Sequence, residues 1–184
     1  MPNGRTFGDG TGEFLWAFSS PTRDDFFSVR IDQQLNDNNS LFGRVTFDDA
    51  LVTEAASFPH YLTPVGSRFI YNTLELKTTI SPTVFNVFRF AYNRTNSGRL
   101  PPVYPDIPAS LSFIPGRLLG EITTGASGTT GQLSSIGVTN DGDYHTQNLF
   151  EYSDDLKFQI GRHFLHTGVD IQRIQLAQKQ GSDR

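Results

Sequence analysis

The chain has no cysteine, which excludes a disulfide scaffold, a thiol nucleophile and a thiolate metal site. It has no excess of basic residues: 15 Lys and Arg stand against 19 Asp and Glu, for a net charge of -4. With no Lys/Arg cluster along any face, the electrostatic footprint of a nucleic-acid binder is missing. No window approaches about eighteen uninterrupted apolar residues, so the sequence writes no transmembrane helix. Barrel strands escape that test, because alternation spaces their apolar residues apart. The opening run Met1-Pro2-Asn3-Gly4-Arg5-Thr6-Phe7-Gly8 lacks the apolar region of a signal peptide. An exported protein requires one, so an envelope location carries the expectation that this chain is an internal fragment. Trp and Met occur once each, against 16 Phe and 6 Tyr, and most of these aromatics fall inside alternating segments.

Successive strand residues point to opposite faces of a sheet, so alternation gives each strand one apolar and one wet face. A first alternating segment runs over Glu13–Phe18 and ends at Ser19-Ser20-Pro21-Thr22, where proline interrupts a ladder. Asp25–Leu35 follows, with Phe27, Val29 and Ile31 on one side and Arg30 and Asp32 on the other. Asn36-Asp37-Asn38-Asn39 makes a tight turn, since Asn and Asp tolerate the left-handed region and bond their own backbone. The chain returns over Ser40–Asp48, setting Val45 and Phe47 opposite Arg44 and Asp48. In Arg68–Ile80, Leu74 and Leu76 oppose Glu75 and Lys77; Ser81-Pro82 turns the chain. Val84–Arg94 places Phe88, Phe90 and Tyr92 opposite Arg89. A third hairpin sets Phe150, Tyr152, Leu156 and Phe158 against Glu151, Asp155 and Lys157, turns at Gly161-Arg162, and returns with Leu165, Val169 and Ile171 against Asp170.

The hairpins are therefore expected at about 25–48, 68–94 and 144–173, with long loops at 49–67 and 95–143. Leu100–Pro105 reads as polyproline-like, Phe113–Gly116 as a turn, and 120–131 as a Gly/Thr/Ser run. Loops this long weigh against a compact soluble domain. Short turns on one rim and long loops on the other are what an outer-membrane barrel requires. The expected fold class is all-β: an antiparallel up-and-down meander of roughly six or seven strands, a partial transmembrane β-barrel with long loops on one rim.

Several phrases carry a family likeness. Phe26–Asp32 with Asp37–Arg44 resembles a hairpin of the TonB-dependent receptors, and is most similar to their Oar-like subgroup. Phe88–Arg94, Gln147–Phe150 with Asp154-Asp155, and Gly161-Arg162-His163 with Gly168-Val169-Asp170 resemble the same group, so the likeness covers about residues 25–175. The resemblance implies a barrel of roughly 22 strands with a plugged lumen and a periplasmic TonB box that engages an energised inner-membrane partner. The sequence offers neither plug nor TonB box, and a sheet of so few strands leaves two unpaired edges that a bilayer does not tolerate. The expected partners are outer-membrane lipid, the rest of the barrel and its plug, a TonB-type coupling protein acting through the missing N-terminal part, and an unidentified external ligand. Nucleic acid is not among them.

The wet-face charges Arg30, Asp32, Arg44, Asp48, Glu75, Lys77, Arg89, Glu151, Asp155, Lys157 and Asp170 are the candidate lumen-facing residues, contacting plug or substrate. Any water-facing barrel wall also needs such residues, with cross-strand ion pairs compensating. No catalytic, cofactor or metal site is expected. His163 and His166 fall on opposite faces of a strand, and His60 and His145 lack acidic partners at ligand spacing. Asn140-Asp141-Gly142-Asp143 lacks the further acidic positions of a calcium loop, and Gly125–Gly131 has no Lys-Ser/Thr ending for a phosphate loop. Adjacent carboxylates such as Asp48-Asp49 and Asp154-Asp155 diverge on a strand, so no acid–base pair and no enzyme is expected. The alternative reading is a soluble or secreted β-sandwich serving binding or adhesion, with the same aromatic faces turned into a shared core.

Overall fold

The computed structural model describes residues 2–55, 60–104, 107–117, 119–122, 135–138 and 142–181. Its strands are β1 (Thr22–Asn36), β2 (Asn39–Ala55), β3 (Leu62–Ser81), β4 (Val84–Arg99), β5 (Gly120–Ile122), β6 (Ile136–Val138), β7 (Asp143–Ile160) and β8 (His163–Lys179). Six of them form one sheet in the order β1-β2-β3-β4-β7-β8, and β5 pairs only with β6. All pairings in the large sheet are antiparallel between chain neighbours, apart from the excursion between β4 and β7. The all-β meander is therefore the fold.

The strands outrun the alternating segments. The loop expected at 49–67 is mostly strand: Asp49 pairs with Arg68, and the ladder continues until Ala55 meets Leu62. Pro59, Pro64 and Gly66 suggested an irregular stretch, yet Pro64 sits inside β3. Its neighbour Thr53 donates its N–H to Pro21 on the β1 side (3.1 Å). The Thr53–Pro64 pair thus needs no bond from the nitrogen that proline lacks. The loop expected at 95–143 is likewise shortened, because β4 reaches Arg99 and pairs with Asp143–Gln147. At Gly98 a Cβ would lie 1.8 Å from the Asp143 carbonyl oxygen, so only glycine allows this approach. The Leu100–Tyr104 segment joins β3 through reciprocal Leu62–Val103 bonds of 3.2 and 2.8 Å and a 2.8 Å bond from Leu100 N–H to Pro64. The glycine run 125–131 and Asn140 and Asp141 of the Asn-Asp-Gly-Asp motif lie outside the described residues.

Glu13–Phe18 forms no strand. Glu13 bonds Arg5 (2.8 Å), and the Asn3 amide closes a small local loop on Leu15. Alternation there finds no partner strand, and a single strand without a ladder is not stable.

Tight turns occupy 37–38, 82–83 and 161–162. No described non-glycine residue has positive φ, so the Asn-rich turn does not use the left-handed region expected for it. The Asn36 side chain does the work: its Oδ1 accepts from the Asn38 N–H (3.0 Å) and the Asn39 amide (2.9 Å). A register shift between Gln34 and Asn36 absorbs the turn's twist, and a matching shift lies between Thr79 and Ser81 before Pro82-Thr83. At the third turn Gly161 has φ 59°, as a type II′ hairpin demands at its first central position.

Burial separates this sheet from a sandwich. Within the six-strand sheet only Glu75, Val87 and Ala91 are buried, and every residue of β1 and β8 is exposed. Among the described residues no second sheet covers either face of the six strands. The shared core that the sandwich alternative needs is not there, and two edges stand open.

Candidate functional site: a two-faced wall

Directly opposed residues of an antiparallel pair share a face, so the register assigns each strand position to a side. Ile31, Gly43, Leu74, Phe90, Tyr152 and Ile171 form one row across all six strands. The adjoining rows on that face carry Phe27, Val29, Val45, Phe47, Leu76, Phe88, Tyr92, Phe150, Leu156, Phe158, Leu165 and Val169. Every residue expected on the apolar face thus shares one side, called here the outer face. Aromatic contacts bind its neighbouring strands: Phe27–Phe47 (5.3 Å between ring centroids), Phe90–Tyr152 (5.0 Å) and Tyr92–Phe150 (5.0 Å).

The polar edge of this apolar band is sharp on the long-loop side. Beyond Phe27, Phe47 and Ile70, which share a row, come Asp25, Asp49 and Arg68. Beyond Tyr92 and Phe150, one row nearer the tight turns, come Arg94 and Asn148; beyond Ile171, one row further, comes Arg173. The edge thus descends about four residues over the sheet, roughly 13 Å against roughly 24 Å of width, an angle near 30°. Transmembrane barrel strands tilt by about 35–45° against the bilayer normal, and a band edge running oblique to the strands is the sequence trace of such a tilt. Polar residues interrupt the band, among them Asn72, whose amide bonds the Tyr92 carbonyl (3.3 Å), and Asn86, whose amide bonds Asp154 (2.9 Å), itself on this face in the row of Phe88 and Val169.

The opposite, inner face carries all eleven charged candidates. Arg30, Arg44 and Glu151 share one row; Asp32, Glu75, Arg89 and Asp170 share the next; Lys77 and Asp155 the next; Lys157 follows. Together they form a belt of balanced sign in the half nearer the tight turns, and Asp48 stands apart from it. Glu75 is its hub, 7% exposed. It accepts from Arg89 Nε (2.9 Å), pairs with the Arg89 Nη2, and lies 3.1 Å from the Lys77 ammonium. Arg30 makes a bidentate pair with Asp32 (2.7 Å for both bonds) and lies 4.3 Å over the Phe42 ring. Arg44 approaches the same ring at 5.9 Å. Among the described residues, Asp48, Glu151, Lys157 and Asp170 make no ion pair. Asp32, Gln34, Ser40, Phe42, Glu75 and Lys77 rim a shallow depression of about 140 Å³.

Sequence reading missed two inner-face features. His166 lies 2.8 Å from Asp155 across β7 and β8; the two are brought together by the hairpin register, which no local motif signals. His145 comes within 3.9 Å of Asp143. The half of the inner face nearer the long connections is largely uncharged, with Phe26, Phe69, Tyr71, Leu149, Ile174 and Leu176 in two adjacent rows. These residues occupy wet positions of the alternation and so break the simple apolar-out pattern. No group of three or more His, Asp or Glu among the described residues is placed to hold a metal.

A single-layer antiparallel sheet with one apolar face, one charged face and an oblique band edge defines the wall of a membrane β-barrel. The chain belongs to the outer membrane β-barrel domain family, whose model matches residues 1–184. Its place is the bacterial outer membrane, and its role there is to form barrel wall. No curated protein and no solved structure matches it.

Proposed function

We propose that the chain is a section of the barrel of a TonB-dependent, Oar-like receptor or transporter. Its outer face meets lipid, and its inner belt docks a plug supplied by another part of the protein. The open edges of β1 and β8 pair with further barrel strands. The connections on the rim opposite the tight turns, above all the one between β4 and β7, face the outside and carry ligand capture, and a TonB-type partner couples through a plug-bearing segment. The chain performs no catalysis in this reading.

The observation that carries it is the balanced belt around Glu75. A channel selecting a ligand of one charge favours a lining of the opposite sign, whereas mixed signs suit a protein surface that brings complementary pairs. The resemblance of the hairpin phrases adds the family. Reading the coding sequence on both sides tests it. The expected result is a plug-like domain upstream in frame and further alternating hairpins downstream. Stop codons tightly flanking the 184 residues, with no such neighbours, overturn it.

A further inference from the structure

The polar edge of the outer face is not uniform. On β1–β3 its charges neutralise one another: Arg68 Nε bonds Asp49 (2.9 Å), and Arg23 pairs with Asp25 and reaches within 4.0 Å of Asp49. On β4 and β8 the first residues beyond the band are Arg94 and Arg173, both exposed. Among the described residues neither has an ion-pair partner. They flank β7, two strand spacings apart and one row out of step, so their Cα atoms are about 12 Å apart. Between them lies Asn148, whose Oδ1 is occupied by the Tyr92 hydroxyl (3.0 Å), leaving its amide nitrogen as a donor. Directly beneath them the band is continuous through Tyr92, Phe150, Tyr152 and Ile171.

Two guanidinium groups without carboxylates, at the boundary between hydrocarbon and water, leave positive charge that nothing in the described chain offsets. Arginine lays its stem on apolar surface while its head forms bidentate bonds to phosphate. A free anion would satisfy the charge but leave the apolar surface beneath unused. An anion that carries acyl chains satisfies both. We infer that Arg94 and Arg173, with Asn148 between them, bind the phosphate of a phosphorylated lipid headgroup in the outer leaflet, its acyl chains lying along Tyr92, Phe150 and Ile171. This rests on the reading that the long connections face outside.

Orientation and binding are separable. The chain has no cysteine, so Glu54→Cys, at the exposed far end of β2, introduces its one thiol, and the barrel without the substitution is the labelling control. A membrane-impermeant maleimide should label it on intact cells. Labelling only after lysis overturns the orientation, and with it the outer-leaflet assignment. Binding is read by titrating the detergent-purified barrel that contains this chain with diphosphorylated lipid A and following the complex by native mass spectrometry. Each arginine removed should weaken binding roughly fivefold, so Arg94→Gln/Arg173→Gln should lose on the order of 25-fold. Arg94→Lys/Arg173→Lys should retain part of the affinity, and Arg30→Gln/Arg44→Gln on the inner face should retain all of it. Excess inorganic phosphate should not displace the lipid. Undiminished binding by the glutamine pair, an equal loss in the inner-face control, or full displacement by phosphate each overturns the inference.

Discussion

The two faces of this sheet are built by different rules. The outer face is held by contacts of low specificity: aromatic pairs across strands within an apolar band, which in the proposed function meets lipid. If it meets lipid as proposed, its residues are interchangeable within their class, because lipid asks only for apolar surface. The inner face is sparser, and its interactions are particular. Glu75 is nearly enclosed because Arg89 and Lys77 close over it, and moving any of the three by one position would send it to the opposite face. Alternation is therefore robust evidence for the outer face, and a weak guide to what the inner face does.

The comparison breaks most sharply at Phe90. Phe90→Arg, in the middle row of the outer face, should cost about 2–4 kcal/mol if it sits near mid-membrane. Asn93→Arg, three residues along and on the inner face, should stay within about 0.5 kcal/mol. Reversible unfolding of the barrel in lipid vesicles measures both, and equal costs would dissolve the distinction between the faces. Next in size comes the hub. Arg89→Ala leaves Glu75 enclosed with Lys77 alone and should cost about 1–3 kcal/mol. Much of that loss should vanish in a Glu75→Gln background, the signature of coupling in a double-mutant cycle. A similar cost is expected for Gly98→Ala, which drives a Cβ into the Asp143 carbonyl; hydrogen exchange should rise at 95–99 and 143–147 and not near the tight turns. Among the unpaired inner charges, Asp170→Asn should change stability by no more than about 0.5 kcal/mol.

The smallest effect lies outside both faces. Tyr104 packs edge-on to Tyr61 with ring centroids 6.0 Å apart. Burial, reinforced by Tyr61, raises the Tyr104 phenol above its ordinary value of 10.0. The folded chain therefore holds this proton to higher pH than the unfolded chain. The contact contributes fully below pH 10 and loses its contribution as pH rises through the raised value. Phenolate absorbance during an alkaline titration should show a late-titrating tyrosine that Tyr104→Phe removes.

Side-chain alternation by itself marked the six strands of the sheet, along with a seventh segment that forms none, and showed where the tight turns fall and which residues share a face. The reason is local: the pleat sends neighbours to opposite sides whatever the strand pairs with. Strand ends were decided by the ladder. β2 and β3 continue through 49–55 and 62–68 because each backbone finds a hydrogen-bond partner, even where Pro64 and Gly66 look like loop. Glu13–Phe18 alternates and forms nothing, because no strand lies beside it. The Asn-rich turn was placed from composition, but its geometry was settled by the Asn36 side chain. The Glu75 hub, the His166–Asp155 pair and the two unneutralised arginines came only with the register, since each depends on residues that meet across strands. Which side chains face one way is written residue by residue; which of them meet is a property of the sheet.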